Sequence, residues 1–193
     1  MSQELWEAAY KFHGHICPGI TVGYRASILA LKLLGLEGKN ISSTHTVIVE
    51  NDVCGVDGVQ FVTGCTVGNS GLIIDNQGRQ AFNFISKSGR GIRIALKYPL
   101  WGSNYPIELH QKVKTGTASE AEKTEFFSLR NERGQFLYQL SDEELFKVSE
   151  IELHIPGKPR LHPITVCNIC GEEVMRPWAV EHENGLACKS HFR

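Results

Sequence analysis

The end of the chain has the least freedom of any segment. Cys167-Asn168-Ile169-Cys170 is followed, after seventeen intervening residues, by Cys188-Lys189-Ser190-His191, a C-x2-C-x17-C-x2-H spacing. Two ligands on a tight knuckle and two on a second turn can close a tetrahedron around zinc at Zn–S distances of about 2.3 Å. Gly171 suits the knuckle, where a positive φ is often required. The roughly 34 residues around this pattern carry few large apolar groups (Val174, Met175, Trp178), too few to fold without a staple. A redox C-x-x-C would leave Cys188 and His191 without a role, and no βαβ pattern surrounds it. The spacing leaves the fourth ligand open, since His182 or His162 could stand in for His191. Four protein ligands leave no position for substrate, so the expected zinc is structural or serves an interaction.

A second concentration of ligand chemistry lies near the N-terminus. Phe12-His13-Gly14-His15-Ile16-Cys17-Pro18-Gly19 places two imidazoles and a thiol in five residues, directly before a helical pattern. Glu50, Cys54, Asp57, Gln60 and Cys65 follow in a Gly-rich stretch. A thiol at the positive end of a helix has a lowered pKa, and a neutral imidazole beside it is either a metal ligand or a base. Three-residue spacing puts Cys54, Asp57 and Gln60 on one helical face. One reading is a transition-metal site built from His13, His15, Cys17, Cys54 and Cys65, whose donors suit Zn, Fe or Ni. The alternative is a small enzyme in which Cys17 is the nucleophile, His15 the base, and Asp57 or Glu50 orients or accepts protons. Only three thiols lie outside the terminal cluster, against the usual four of an iron–sulfur centre, so a histidine would have to complete one. Gly64, Gly68 and Gly71 do not spell a dinucleotide or phosphate-loop fingerprint.

Charge excludes other classes. The 193 residues carry 20 Lys and Arg against 21 Asp and Glu. Near the terminal cluster only Lys158, Arg160, Arg176, Lys189 and Arg193 are basic, which argues against nucleic acid as a partner. The longest apolar run, Ala26 to Leu36, is broken by Ser27 and Lys32, so no membrane span is expected. Met1 to Tyr10 is acidic and amphipathic, without the pattern of a signal peptide, and the expected location is the cytoplasm, with reduced thiols.

The periodicities predict helices over residues 3–12 and from Pro18 through Leu33, and a strand at 44–50. A short helix around Val56–Val62 and strands at 71–75, 80–87 and 90–97 follow, with a hairpin at Ser88-Gly89. Ser119 with Glu122 starts a helix reaching about Asn131, Ser141 with Glu144 repeats the capping signal, and residues 146–155 form a last strand. Pro156, Gly157, Pro159 and Pro163 then break regular structure. The reading is an α+β fold: a mixed helix and sheet core domain over 1–156 and a small zinc-finger domain over 157–193.

The segments FHGHICPG at 12–19, ENDVCGVDGVQFVTGCTVGN at 50–69, CNICGE and the terminal ACKSHF together resemble the FmdE-like family, named for the FmdE component of molybdenum or tungsten formylmethanofuran dehydrogenase. The resemblance runs along essentially the whole chain. It implies an α+β core with an auxiliary treble-clef zinc finger, and a dimer. It also implies a candidate site of His15, Cys17, Cys54 and Cys65 with His13, Asp57 and Gln60 nearby. The partner it implies is a molybdenum or tungsten redox complex that makes formylmethanofuran from carbon dioxide, with catalysis on the other chains of that complex. His191 departs from the more common terminal C-x2-C. On this reading the chain is an accessory metal-binding protein.

Overall fold

The structure, a computed structural model, describes residues 2–103, 105–153, 155, 162–183 and 185–192. Backbone packing divides the chain into two compact units, Met1–Ile155 and Pro156–Arg193. The boundary expected at residues 156 and 157 lies outside the described residues.

The first unit is an α+β arrangement of α1 (Gln3–His13), α2 (Pro18–Leu33), β1 (His45–Val49), α3 (Gly55–Thr63), β2 (Leu72–Ile74), β3 (Ala81–Ser86), β4 (Arg90–Leu96), α4 (Ile107–Thr115), α5 (Glu120–Gln139), α6 (Asp142–Leu145) and β5 (Phe146–Glu152). The strands form one sheet in the order β2-β1-β3-β4-β5. β1 and β2 run parallel, and the other neighbours are antiparallel. Val47, Val49, Phe82, Phe84 and Ile94 are fully buried in the same cluster as Val22, Ala26 and Leu29 of α2.

α2 is the axis of this unit. Its sequence, PGITVGYRASILALKL, is apolar on nearly every side, and such a helix must be covered on nearly every side. α3, α5 and strands β3 and β4 pack around it. The α3 contact is exceptionally close. A Cβ on Gly23 would lie 1.9 Å from the Gly55 carbonyl oxygen, and one on Gly58 would lie 2.5 Å from the Tyr24 nitrogen. Bare backbones therefore meet there, and no side chain can be added to either helix at those points. Arg25, buried in this helix, donates to the Leu137 and Tyr138 carbonyls at the end of α5 and to Asp142 Oδ1 at 2.7 Å. A cation is thereby set against the negative end of α5. Trp6 of α1 stacks on Tyr138 and packs on Tyr24, which ties the first helix to the same pair.

The opposite side of β3 carries a polar network. Glu50 Oε1 accepts from Asn83 Nδ2 at 3.1 Å and Arg93 Nε at 2.6 Å, while Oε2 accepts from Arg93 Nη2 at 2.9 Å and faces Arg79 Nε at 2.7 Å. The Arg93 guanidinium holds this carboxyl down, to about 2 from 4.5, against the opposing effect of burial. A depressed carboxylate adds stability above its unfolded value and loses it as pH falls toward the folded one. Glu50→Gln is therefore expected to lose about 3 kcal/mol at pH 7. Urea titrations should show the gap from wild type closing between pH 4.5 and 2.

Most elements lie within a residue or two of their expected positions. The last core strand ends at Glu152 rather than 155. The fifth helix runs to Gln139 instead of about Asn131, because the polar run through Gly134 carries no apolar stripe and still packs on α2. α4 had no sequence signal, and none of its residues is buried.

The second unit contains two antiparallel hairpins, β6 (Ile164–Val166) with β7 (Glu173–Met175), and β8 (Ala179–His182) with β9 (Gly185–Cys188). A 3-10 turn at Lys189–Phe192 follows β9. Among its described residues, Cys167, Ala179 and Ala187 are the buried apolar ones, whereas Ile164, Val166, Trp178 and Phe192 stand exposed.

Candidate metal centres

In the core unit, one ligand atom each from His13, His15, Cys17 and Cys54 lies within 4.8 Å of all the others. Local structure explains the convergence. α1 ends at His13, and Gly14, at φ 95°, turns the chain so that the His15 ring comes back to 4.4 Å from the His13 ring, centroid to centroid. Cys17 is the N-cap of α2 and Cys54 the N-cap of α3. A Cβ on Gly19 would sit 2.8 Å from Cys54 Cβ, so glycine at that position lets the second thiol approach. α5 closes the side of Cys17 in the same way: a Cβ on Gly134 would meet Ile16 Cγ2 at 2.8 Å and the Cys17 carbonyl carbon at 3.1 Å.

The imidazoles and thiols have different electrostatics. His13 Nδ1 is 2.6 Å from Asp57 Oδ2, and its Nε2 is 3.8 Å from Cys17 Sγ. A ring that donates through Nδ1 to a carboxylate presents an Nε2 lone pair on its other side, the arrangement in which histidine binds metals. Gln60 Nε2 lies 3.5 Å from the other Asp57 oxygen. Burial, then the charge of Arg130, lowers His15 to about 4, so its ring is neutral at pH 7. Cys17 and Cys54 share a hydrogen bond, which raises the Cys17 thiol, with burial adding to the rise, and lowers Cys54 to about 6. Two neutral imidazoles, a thiolate and a second thiol at two helix N-termini form a donor set suited to a soft divalent ion.

The remaining core candidates are placed elsewhere. Cys65 is not in this group: the nine residues of α3 separate it from Cys54 by about 14 Å of helix. It is fully buried with Val47 and Leu72, and its Sγ is 3.9 Å from the His45 carbonyl oxygen. It serves there as a small core side chain. Glu50 faces arginines on the sheet. Asp57 stands beside His13 rather than among the grouped ligand atoms. His13, and not His15, lies between Cys17 and Asp57.

A cleft of about 470 Å³ opens beside His15, between the end of α1 and the middle of α5. Phe127 and Arg130 belong to its walls and had no signal in the sequence, because α5 presents no periodic pattern that separates its site-facing residues from its solvated ones.

In the second unit the ligand atoms of Cys167, Cys170, Cys188 and His191 also lie within 4.8 Å of one another. Gly171, at φ 74°, closes the knuckle, with its N–H donating to the Cys167 carbonyl at 2.9 Å. The Cys188 N–H points at Cys167 Sγ, 3.3 Å away. Burial pushes the Cys167 thiol up, and the amides of Cys170, Cys188 and Ile169 outweigh it, bringing it to about 6. The other two histidines are occupied differently. His182 packs on Phe192, and His162 on Trp178.

Comparison with known proteins agrees with the motifs. The model of the family described as "FmdE, Molybdenum formylmethanofuran dehydrogenase operon" matches residues 12–147. A protein of Archaeoglobus fulgidus named "Probable S-adenosyl-L-methionine-binding protein" is 34% identical over 192 residues, which cover 94% of this chain and 50% of that protein. The chain thus spans about half the length of this curated relative. The crystal structure of an FmdE-like protein of tungsten formylmethanofuran dehydrogenase from Syntrophus aciditrophicus superposes with a TM-score of 0.63 at 25% identity, covering 98% of this chain and 91% of that one.

Proposed function

The chain belongs to the FmdE family, and from that premise we propose that it is a metal-binding accessory protein of a redox enzyme system. The core group of His13, His15, Cys17 and Cys54 is the functional metal centre on this reading, and Cys167, Cys170, Cys188 and His191 hold a structural zinc. One observation carries it: the Asp57 carboxylate fixes His13 with Nε2 turned toward the thiols. Zinc fits two imidazoles and two thiolates, and Fe or Ni fits the same donors less selectively. Bound there, such an ion supplies Lewis acidity at the foot of the cleft. Two short hairpins followed by a terminal turn support a treble-clef-like finger. The proposed setting is a cytoplasmic homodimer that works beside a molybdenum or tungsten dehydrogenase. No helix among the described residues is long and apolar enough to cross a membrane. The S-adenosyl-L-methionine in the relative's name is left out of this reading, since the chain matches only half of that protein.

Element-resolved metal analysis of anaerobically purified protein tests the reading. Wild type should carry two metals per chain, and a Cys167→Ser/Cys170→Ser double variant one. Asp57→Ala should stay folded while its core metal affinity falls about 10- to 100-fold, because the ring loses the partner that fixes its tautomer. One metal in wild type and none in the double variant would sink the core centre.

A second reading has its own observation, the order Cys17, His13, Asp57 along one hydrogen-bonding line. That is a thiol–imidazole–carboxylate arrangement, with His13 in the role that the sequence suggested for His15. A metal-free core whose thiol reacts stoichiometrically with iodoacetamide at pH 7, and no longer does so in His13→Ala, would select it.

A further inference from the structure

The cleft beside His15 has an uneven charge. Lys11 and Arg130 are in its lining, together with Tyr10, Ile16 and Phe127, and no carboxylate is. Lys11 already faces Glu7 at 3.6 Å along the exposed side of α1. Arg130 has no ion pair among the described residues, and its buried Nε has no hydrogen-bond partner. Its guanidinium is held over the Phe127 ring, 4.8 Å from the centroid, so the fork is oriented while a donor goes unused. A buried donor without an acceptor is costly, and a guanidinium that keeps its Nε edge free is shaped to grip a carboxylate with two parallel hydrogen bonds.

We propose that this cleft binds a small organic carboxylate, gripped through the Nε edge of Arg130 with its apolar body along Phe127, Ile16 and Tyr10. The choice of carboxylate follows from the lining. One unpaired cation and several apolar walls suit a monoanion with a hydrocarbon part, whereas inorganic phosphate would want a cradle of backbone amides. The volume admits a ligand of modest size. The anion lies next to His15, and hence beside the core ligand group, so this assignment names the substrate class for the site proposed above and rests on that reading. The low pKa of His15 is consistent with an arginine charge that no acid on the protein neutralises.

The test is a calorimetric titration of the full chain, metal-loaded and metal-free, with benzoate, acetate and inorganic phosphate. Wild type should bind benzoate more tightly than acetate or phosphate. Arg130→Gln should lose about tenfold or more in affinity, and Arg130→Lys should recover only part of it, because an ammonium cannot make the two-point grip. Should Arg130→Gln misfold, amide shifts of wild type under benzoate provide the same reading, with the expected movements at Gly14, Ile16 and Asn131. Equal benzoate affinity in wild type and folded Arg130→Gln, absence of binding to wild type, tighter binding of phosphate, or shifts that avoid those amides would each overturn the site. Failure of the metal reading registers separately, as a core that takes up no metal, and the metal-free titration reports on Arg130 without it.

Discussion

Cys167→Ser together with Cys170→Ser is expected to abolish the structure of the C-terminal unit while the core unit stays folded. The cause lies in how little that unit buries. Cys167, Ala179 and Ala187 are its buried apolar residues among those described, and two of its larger groups, Trp178 and Phe192, are more than half exposed. Alanine methyl groups and one thiol cannot offset the conformational entropy of more than thirty residues, which costs on the order of 1–2 kcal/mol per residue. A structural zinc supplies about 10–16 kcal/mol at neutral pH, and removing two of its four ligands removes most of that. Limited trypsin digestion should cut the variant at Arg176 and Lys189 and spare the core, and one zinc per chain should appear in a chromophoric chelator assay. Persistence of the β8–β9 amide protections in the variant would show that apolar packing, and not the metal, holds the unit.

Gly23→Ala is expected to produce the largest loss in the core. Its methyl group would have to occupy space 1.9 Å from the Gly55 carbonyl oxygen and 2.7 Å from Gly55 Cα, atoms that belong to backbone and cannot swing aside. α2 and α3 must then separate. Overpacking in a core usually costs about 1–3 kcal/mol, and a clash with main chain on both sides puts this substitution at about 3 kcal/mol or more. The same separation moves the N-caps of the two helices apart, so Cys17 and Cys54 should lose their hydrogen bond. Thermal unfolding and core metal content should therefore fall together. A variant of wild-type melting temperature that keeps its metal would show that the two helices tolerate a wider spacing.

These two expectations also mark what the sequence could disclose. The C-x2-C-x17-C-x2-H spacing was legible because knuckle ligands are local, and a few residues of backbone suffice to set them. His13, His15 and Cys17 were legible for the same reason, being close in sequence at the end of α1. Cys54 and Cys65 looked equivalent as thiols in one Gly-rich stretch, and only the run of α3 between them decides which joins the ligands. The glycines of α2 and α3 read as turns or close approaches without saying to what. Gly134, Phe127 and Arg130 were invisible as site residues, since their roles depend on α5 crossing a segment more than 110 residues earlier, where Gly134 accepts from Thr21. Periodicity reports on one helix at a time, and this helix has no clean stripe to report.

That distance has a consequence for how the protein is made. Thr21 and Arg25 find their acceptors on residues 134, 137 and 138, with sequence separations of 112 and 113. The ribosome therefore delivers the His13, His15 and Cys17 ligands long before the helix that walls them in. Until Gln139 has emerged, α2 offers water an apolar cylinder with a thiol at its tip, a state open to aggregation and to capture of whatever soft ion is at hand. The metal centre is thus sealed late in synthesis, and the ion it keeps is selected by a nearly complete chain.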